Sequence, residues 1–236
     1  MTVILSASKY FDIILNVILV YLLIGNFSRR YALLLAYASV QLITGLVEEV
    51  VDRSYGTQSA LYNYAYWTDE ILVDLLLFLM VIVLVRQTAE GRPAGAVATK
   101  IAALVVAAAF VLPFVFGNRI VVPASSPVRL SGRWFTTASQ VLNFGGAIMN
   151  LVLWGNLIGT KQRDPRMLAI CAGLGIAITG EAVRYGLLSL FSSNGLRRAT
   201  TIFGILTHTA GWLIWCWAFR PGRSQPDPPA VTSSGY

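Results

Sequence analysis

One histidine, His208, and two cysteines, Cys171 and Cys216, are the only imidazole and thiol ligands the chain can offer. A haem held between two histidines is therefore excluded. A zinc site takes three or four ligands of histidine, cysteine or carboxylate type. By position along the apolar runs both cysteines lie far from His208 and from the acids, so no metal site and no other cofactor is expected. Lysine is scarce too. Lys9, Lys100 and Lys161 sit at the ends of apolar runs or between them, so none is placed to carry a retinal Schiff base. There is no G-x-S-x-G nucleophile elbow. No nucleophile–base pair is visible, no catalytic residue is assigned, and an intramembrane enzyme is the weakest of the functional readings. Both cysteines fall within apolar runs, which implies no disulfide framework. The first apolar run has no basic segment before it and no small-residue cleavage site after it, so it reads as a retained helix rather than a signal peptide.

Charge is the other shortage. Only 12% of the 236 residues are charged and 56% are hydrophobic, whereas a soluble domain carries about 25% charged residues. The chain reads as an integral membrane protein, with the lipid bilayer as its first partner. Its net charge of +7 is explained by arginines between spans, and no nucleic-acid partner is expected. Seven apolar runs are long enough to cross a bilayer, at about 10–27, 31–50, 67–86, 100–117, 137–158, 167–190 and 199–219. The expected fold is all-α, a polytopic bundle of seven transmembrane helices over residues 1–220. Pro113 should bend the fourth span. The polar, proline-rich remainder, 221–236, reads as a disordered cytoplasmic tail.

The third span organises the rest. Tyr62, Tyr64, Tyr66 and Trp67 favour a water–lipid boundary. Asp69 and Glu70 follow, then an apolar run from Ile71 to Val85 broken only by Asp74, and Arg86 ends it. Orientation follows from the basic residues. Ten lie in one set of loops, among them Arg29, Arg30, Lys161, Arg163 and Arg166, against seven in the other, among them Lys9, Arg53, Arg197 and Arg198. The positive-inside rule then puts the N-terminus outside and the C-terminus in the cytoplasm.

Ionisable residues at membrane depth are expensive and functional by default. At about 1.5 Å per residue, Asp12, Glu48, Glu49, Asp74, Glu181, Arg184 and the amides Gln140 and Asn143 fall in the outer half of their spans, and His208 lies near the middle of the seventh. The inner half is almost wholly apolar. That asymmetry predicts a polar cavity open to the outside and closed toward the cytoplasm. Glu181 and Arg184 are three apart and Tyr185 is four from Glu181, so the three share one helix face. Two readings stand side by side: an internal salt bridge that neutralises both charges, or an arginine that binds an anionic ligand group beside a proton-carrying Glu181. Asp74 has no basic residue within one turn, so it either pairs with Arg184 across the bundle or stays protonated. His208 reads first as a hydrogen-bonding packing residue and second as a ligand group. The small residues of the sixth span, from Ala172 to Gly186, read as close-packing positions. Glu48-Glu49-Val50-Val51-Asp52-Arg53 matches the E-E-x-x-x-R motif of CAAX-type intramembrane proteases. With a single histidine, the companion motifs of those enzymes are missing, and the match carries no weight.

The stretches Tyr64-Ala-Tyr-Trp-Thr-Asp-Glu70 and Leu174-Gly-Ile-Ala-Ile-Thr-Gly-Glu181 resemble uncharacterised bacterial seven-helix membrane proteins. Those proteins carry a tyrosine–tryptophan–acid motif entering the third span and a glycine-rich sixth span. The resemblance implies an all-helical fold in a bacterial inner (cytoplasmic) membrane, and no activity. The first expectation for function is a receptor-like or sensory module that binds a small ligand in the outer cavity and signals through a separate partner protein. The alternative is a small-molecule or proton-coupled transporter. The candidate ligand-binding or polar-core residues are Asp74, Glu181, Arg184, Tyr185, His208, Glu48, Glu49 and Asn143.

Overall fold

The computed structural model describes residues 2–88, 94–116, 131–158, 164–190 and 194–221. Within them the chain is all-α. Seven helices follow in order: α1 (Thr2–Gly25), α2 (Ala32–Tyr55), α3 (Ala60–Thr88), α4 (Ala94–Phe116), α5 (Ser131–Ile158), α6 (Pro165–Leu190) and α7 (Asn194–Ala218). A 3-10 turn, Arg29–Tyr31, joins α1 to α2, and no strand occurs among the described residues. The loops that carry Arg92, Arg119, Arg129, Lys161 and Arg163, and the tail from Gly222 onward, lie outside the described residues.

Local chemistry sets several of the helix ends. Asn26 Nδ2 donates to the Leu22 carbonyl at 2.9 Å, which satisfies one of the free acceptors ending α1. Gly56, at φ 79, stops α2 in a conformation that side-chain-bearing residues rarely adopt, and its N–H returns to the Asp52 carbonyl. Ser59 Oγ accepts from the Tyr62 N–H at the start of α3. Asp164 caps α6 by accepting from the N–H groups of Arg166 and Met167, with Pro165 as the first helical residue. The other oxygen of Asp164 meets Arg30 Nη1 at 3.2 Å and ties the α1–α2 turn to the start of α6.

Most of the helices outrun the apolar spans read from the sequence, by eight residues where α1 begins at Thr2 instead of 10 and by seven where α3 begins at Ala60 instead of 67. Apolar composition marks the slab a helix would cross, whereas backbone hydrogen bonding carries the helix on through polar flanks. The tyrosine cluster is accordingly part of α3 rather than a loop before it. α4 continues as helix through Pro113 and ends within a turn of it. Among the described residues, three helical stretches suffice by length and composition to cross a membrane: Arg29–Tyr55, Trp134–Ile158 and Pro165–Leu187. Tyr10–Gly25 and Thr99–Val115 are shorter apolar helices.

Packing closes a ring in the order α1, α2, α3, α5, α6, α7 and back to α1, with α4 laid outside against α5 and α3. α3 is apolar nearly all round from Ile71 on and buries Leu77, Phe78, Met80, Val81, Ile82, Leu84 and Val85, because α2, α4 and α5 all pack against it. The core fills one half of the ring. It joins Leu19 and Leu23, Leu34 and Tyr37, Leu153, Met167 and Ile170, and Trp215 and Phe219. Large apolar side chains also cover the perimeter: Tyr21, Leu104, Phe114, Leu151 and Leu206 are each more than 60% exposed.

The α6–α7 pair is the most intimate. A Cβ on Gly173 would stand 2.5 Å from Trp215 Nε1 and 3.0 Å from the Gly211 carbonyl. Trp215 cannot easily retreat, because its indole N–H donates to the Ile170 carbonyl at 3.1 Å. We expect Gly173→Ala to destabilise the detergent-purified protein by about 1–3 kcal/mol through overpacking. Gly155, whose Cβ would meet nothing within 4 Å, should tolerate alanine or gain up to about 1 kcal/mol in helix propensity. Thermal unfolding of the two variants side by side checks this, and equal effects would contradict the close contact.

Candidate functional site

A cavity of about 430 Å³ lies between α1, α2, α3, α6 and α7, at the end of the bundle where α1, α3 and α7 begin and α2 and α6 finish. Each helix presents one stripe to it. α1 gives Asp12 and Asn16; α2 gives Gln41, Gly45 and Glu48; α3 gives Tyr62, Tyr66, Asp69 and Glu70. α6 gives Glu181 and Arg184, and α7 gives Thr201, Gly204, His208 and Trp212. Apart from the adjacent pair Asp69 and Glu70, the steps between these residues along each helix are three and four, the repeat of a helix face. Beneath, Trp212 stacks on Tyr37 with ring centroids 5.7 Å apart, and Trp215 meets both rings edge-on. These aromatic side chains, all but inaccessible, form the floor and join the apolar half of the ring.

An ion-pair chain crosses one wall. Arg184 Nε donates to Glu181 Oε2 at 2.6 Å, along α6. Arg184 Nη2 donates to Glu70 Oε1 at 2.9 Å, across to α3. The same Glu70 oxygen accepts a hydrogen bond from the Tyr185 hydroxyl. The guanidinium also lies over the Tyr185 ring, 4.5 Å from its centroid. Gly204 on α7 makes the slot this requires, since a Cβ there would stand 2.7 Å from Arg184 Cδ. All three charged side chains are largely buried, where a charge persists only with partners.

On the facing wall, the Gln41 amide nitrogen stands 2.9 Å from His208 Nε2. With the amide as donor, that ring nitrogen is the acceptor and the imidazole proton sits on Nδ1. Asp12 Oδ1 accepts from the Thr209 hydroxyl at 2.8 Å. Asn16 donates to the Ala38 carbonyl at 2.9 Å and accepts from the Leu42 N–H at 3.1 Å, which braces α1 on α2.

The residues singled out from the sequence sort into three groups. Glu181, Arg184 and Tyr185 form one network, and Glu48 and His208 line the same cavity. Asp74 and Asn143 do not line it. Asp74 is 5% exposed on α3, faced by Ser139 and Asn143 of α5, and its Oδ2 has no hydrogen-bond partner. Among the described residues no cation stands within 4 Å of it, so the pairing with Arg184 does not form. Glu70, one turn earlier on α3, takes that place. Glu49 points away from the cavity and pairs with Arg53 at 2.7 Å, while Arg53 also donates to the Tyr10 hydroxyl. That pair accounts for the acid–arginine spacing of the protease-like motif.

Glu70 is absent from the candidate residues, as are Gln41 and Asp69, although all three line the cavity; Asp12, expected at membrane depth, and Tyr66, expected at the boundary, line it too. The signal was there. Tyr62, Tyr66 and Glu70 are four apart on α3, and Asp74 extends the same row. Next to the boundary aromatics Glu70 looks like an end-of-helix acid, but α3 begins ten residues before it. Among the described residues no three or more histidines, cysteines and acids are grouped to hold a metal ion. Comparison with protein-family models, curated proteins and solved structures finds no match.

The network makes a coupled prediction. Arg184→Ala should cost about 3 kcal/mol or more, because it orphans two buried carboxylates. Glu181→Gln and Glu70→Gln should each destabilise less. The double variant Glu181→Gln/Arg184→Ala should fall short of the summed losses by roughly 0.5–3 kcal/mol. Thermal unfolding of all four variants provides the cycle, and strict additivity would show that these residues are not partners.

Proposed function

We propose that the chain is a multi-pass protein of a bacterial inner membrane whose seven helices all cross the bilayer, N-terminus outside and C-terminus in the cytoplasm. It acts as a receptor-like or sensory module that takes a small ligand into the polar cavity from the outer side, and a separate partner protein carries the signal onward. One observation supports this most: polar side chains from five helices converge on a cavity at one end, and a continuous apolar core fills the other. Apolar cover around the perimeter and helices of spanning length support the membrane setting. A cavity near 430 Å³ falls within the range of about 300–1,000 Å³ common for small-molecule sites.

Proton-coupled transport is the second reading. Asp74 favours it, as a buried carboxyl with one oxygen unpartnered, a turn below the ion-paired Glu70 on the same helix. A carrier would move protons with its substrate, so proteoliposomes containing a trapped pH-sensitive dye distinguish the two. Ligand-dependent acidification lost in Asp74→Asn establishes the carrier and ends the purely sensory reading.

Gly45 allows a steric test. It lines the cavity and a Cβ there meets nothing within 4 Å, so Gly45→Trp should fold and fill the space. In a thermal screen of small metabolites, a compound that raises the wild-type melting temperature should lose its effect in Gly45→Trp. A shift that survives the substitution places the ligand elsewhere and overturns the cavity reading. A reporter fused after Tyr236 should be active only in the cytoplasm; periplasmic activity would reverse the orientation.

A further inference from the structure

We infer that the ligand of this cavity is a small organic cation, an amine or quaternary ammonium. The inference rests on the cavity being a ligand site and goes on to name the ligand's chemistry. Five carboxylates line the walls, those of Asp12, Glu48, Asp69, Glu70 and Glu181, against one guanidinium. That guanidinium is already engaged, with Nε on Glu181 and Nη2 on Glu70. An anion entering here would meet carboxylates without a free cation to receive it. Among the described residues no cation lies within 4 Å of Asp12 or Asp69.

The lining is also rich in acceptors. Gln41 Oε1 and Asp69 Oδ1 lie just behind the cavity surface without a hydrogen-bond partner, and Asp69 has Thr44 and Glu48 as its polar neighbours. The aromatic lining fits the same ligand. Tyr62 and Tyr66 stack with centroids 6.4 Å apart along one wall, and Trp212 lies at the floor beneath His208. A cation within about 6 Å of such rings is attracted by their negative faces. A bare metal ion suits the site poorly. It would need several oxygens converging at about 2.3–2.6 Å, and the described residues hold no such acidic grouping. The volume asks instead for a cation with an organic body.

The test uses the full chain purified in detergent, with thermal stability as the readout at constant ionic strength. The probes are tetramethylammonium, choline and putrescine as cations, succinate and phosphate as anions, and glucose as a neutral compound. The cations should stabilise saturably, and the anions and glucose should not. Asp69→Asn and Tyr66→Leu should each weaken the best cation roughly tenfold, and Gly45→Trp should abolish its effect. Glu49→Gln, outside the cavity, should leave it unchanged. Three results overturn the assignment: no saturable shift with any cation, a cation shift indifferent to both Asp69→Asn and Tyr66→Leu, or binding of succinate, phosphate or glucose in place of the cations. In the last case, loss of that binding in Gly45→Trp leaves the cavity as a ligand site and removes only its cation chemistry. Shifts that persist in Gly45→Trp remove both.

Discussion

A guanidinium enclosed in a helix bundle constrains everything near it. Arg184 cannot give up its charge, and its burial makes each missing partner costly. It meets that constraint with one carboxylate from its own helix and one from α3, and the second contact links two helices that otherwise touch little. Glu70 is held in turn by the Tyr185 hydroxyl. The register of α3 against α6 at this end is thereby set by polar groups rather than by apolar packing. Polar contacts of this kind specify one arrangement where apolar surfaces would accept several.

The small residues of α6 and α7 make that arrangement sterically possible. Gly204 leaves the passage that the Arg184 side chain occupies, and Gly173 lets Trp215 and the α7 backbone approach. Both are close-approach positions rather than flexible ones. The same crossing puts Trp212 and Trp215 against Tyr37, and that aromatic cluster divides the ring into a polar and an apolar half. The cavity is thus a consequence of three things together. Charges on α3 and α6 hold the wall, a missing side chain on α7 admits the arginine while one on α6 admits Trp215, and aromatic rings on α2 and α7 close the floor.

Chemistry at the polar end follows from how the charges are distributed. Among the described lining residues the one cation, Arg184, is held by Glu181 and Glu70, and Asp12, Glu48 and Asp69 share the same space. Asp74 stands apart, close below the network but outside the cavity, with Ser139 and Asn143 as its polar neighbours.

Residue pattern alone determined the all-helical class, the seven helices of the described residues and the concentration of polar groups at one end, since apolar runs and the positions of charges within them are local properties. The pairing of Glu181 with Arg184 was legible for the same reason: three residues on a helix are neighbours whatever the fold. Helix ends were less legible, because a polar flank looks alike whether it continues a helix or leaves it, as Tyr62 and Tyr66 show. Only the tertiary structure decided which of two acids, Glu70 or Asp74, answers Arg184. Both lie on one face of α3 a single turn apart, and the choice depends on the relative height of α3 and α6. It likewise decided that Glu48 faces the cavity while its neighbour Glu49 turns outward to Arg53. Adjacent helical residues point about 100° apart, and which of them faces the ring depends on how α2 is rotated within it.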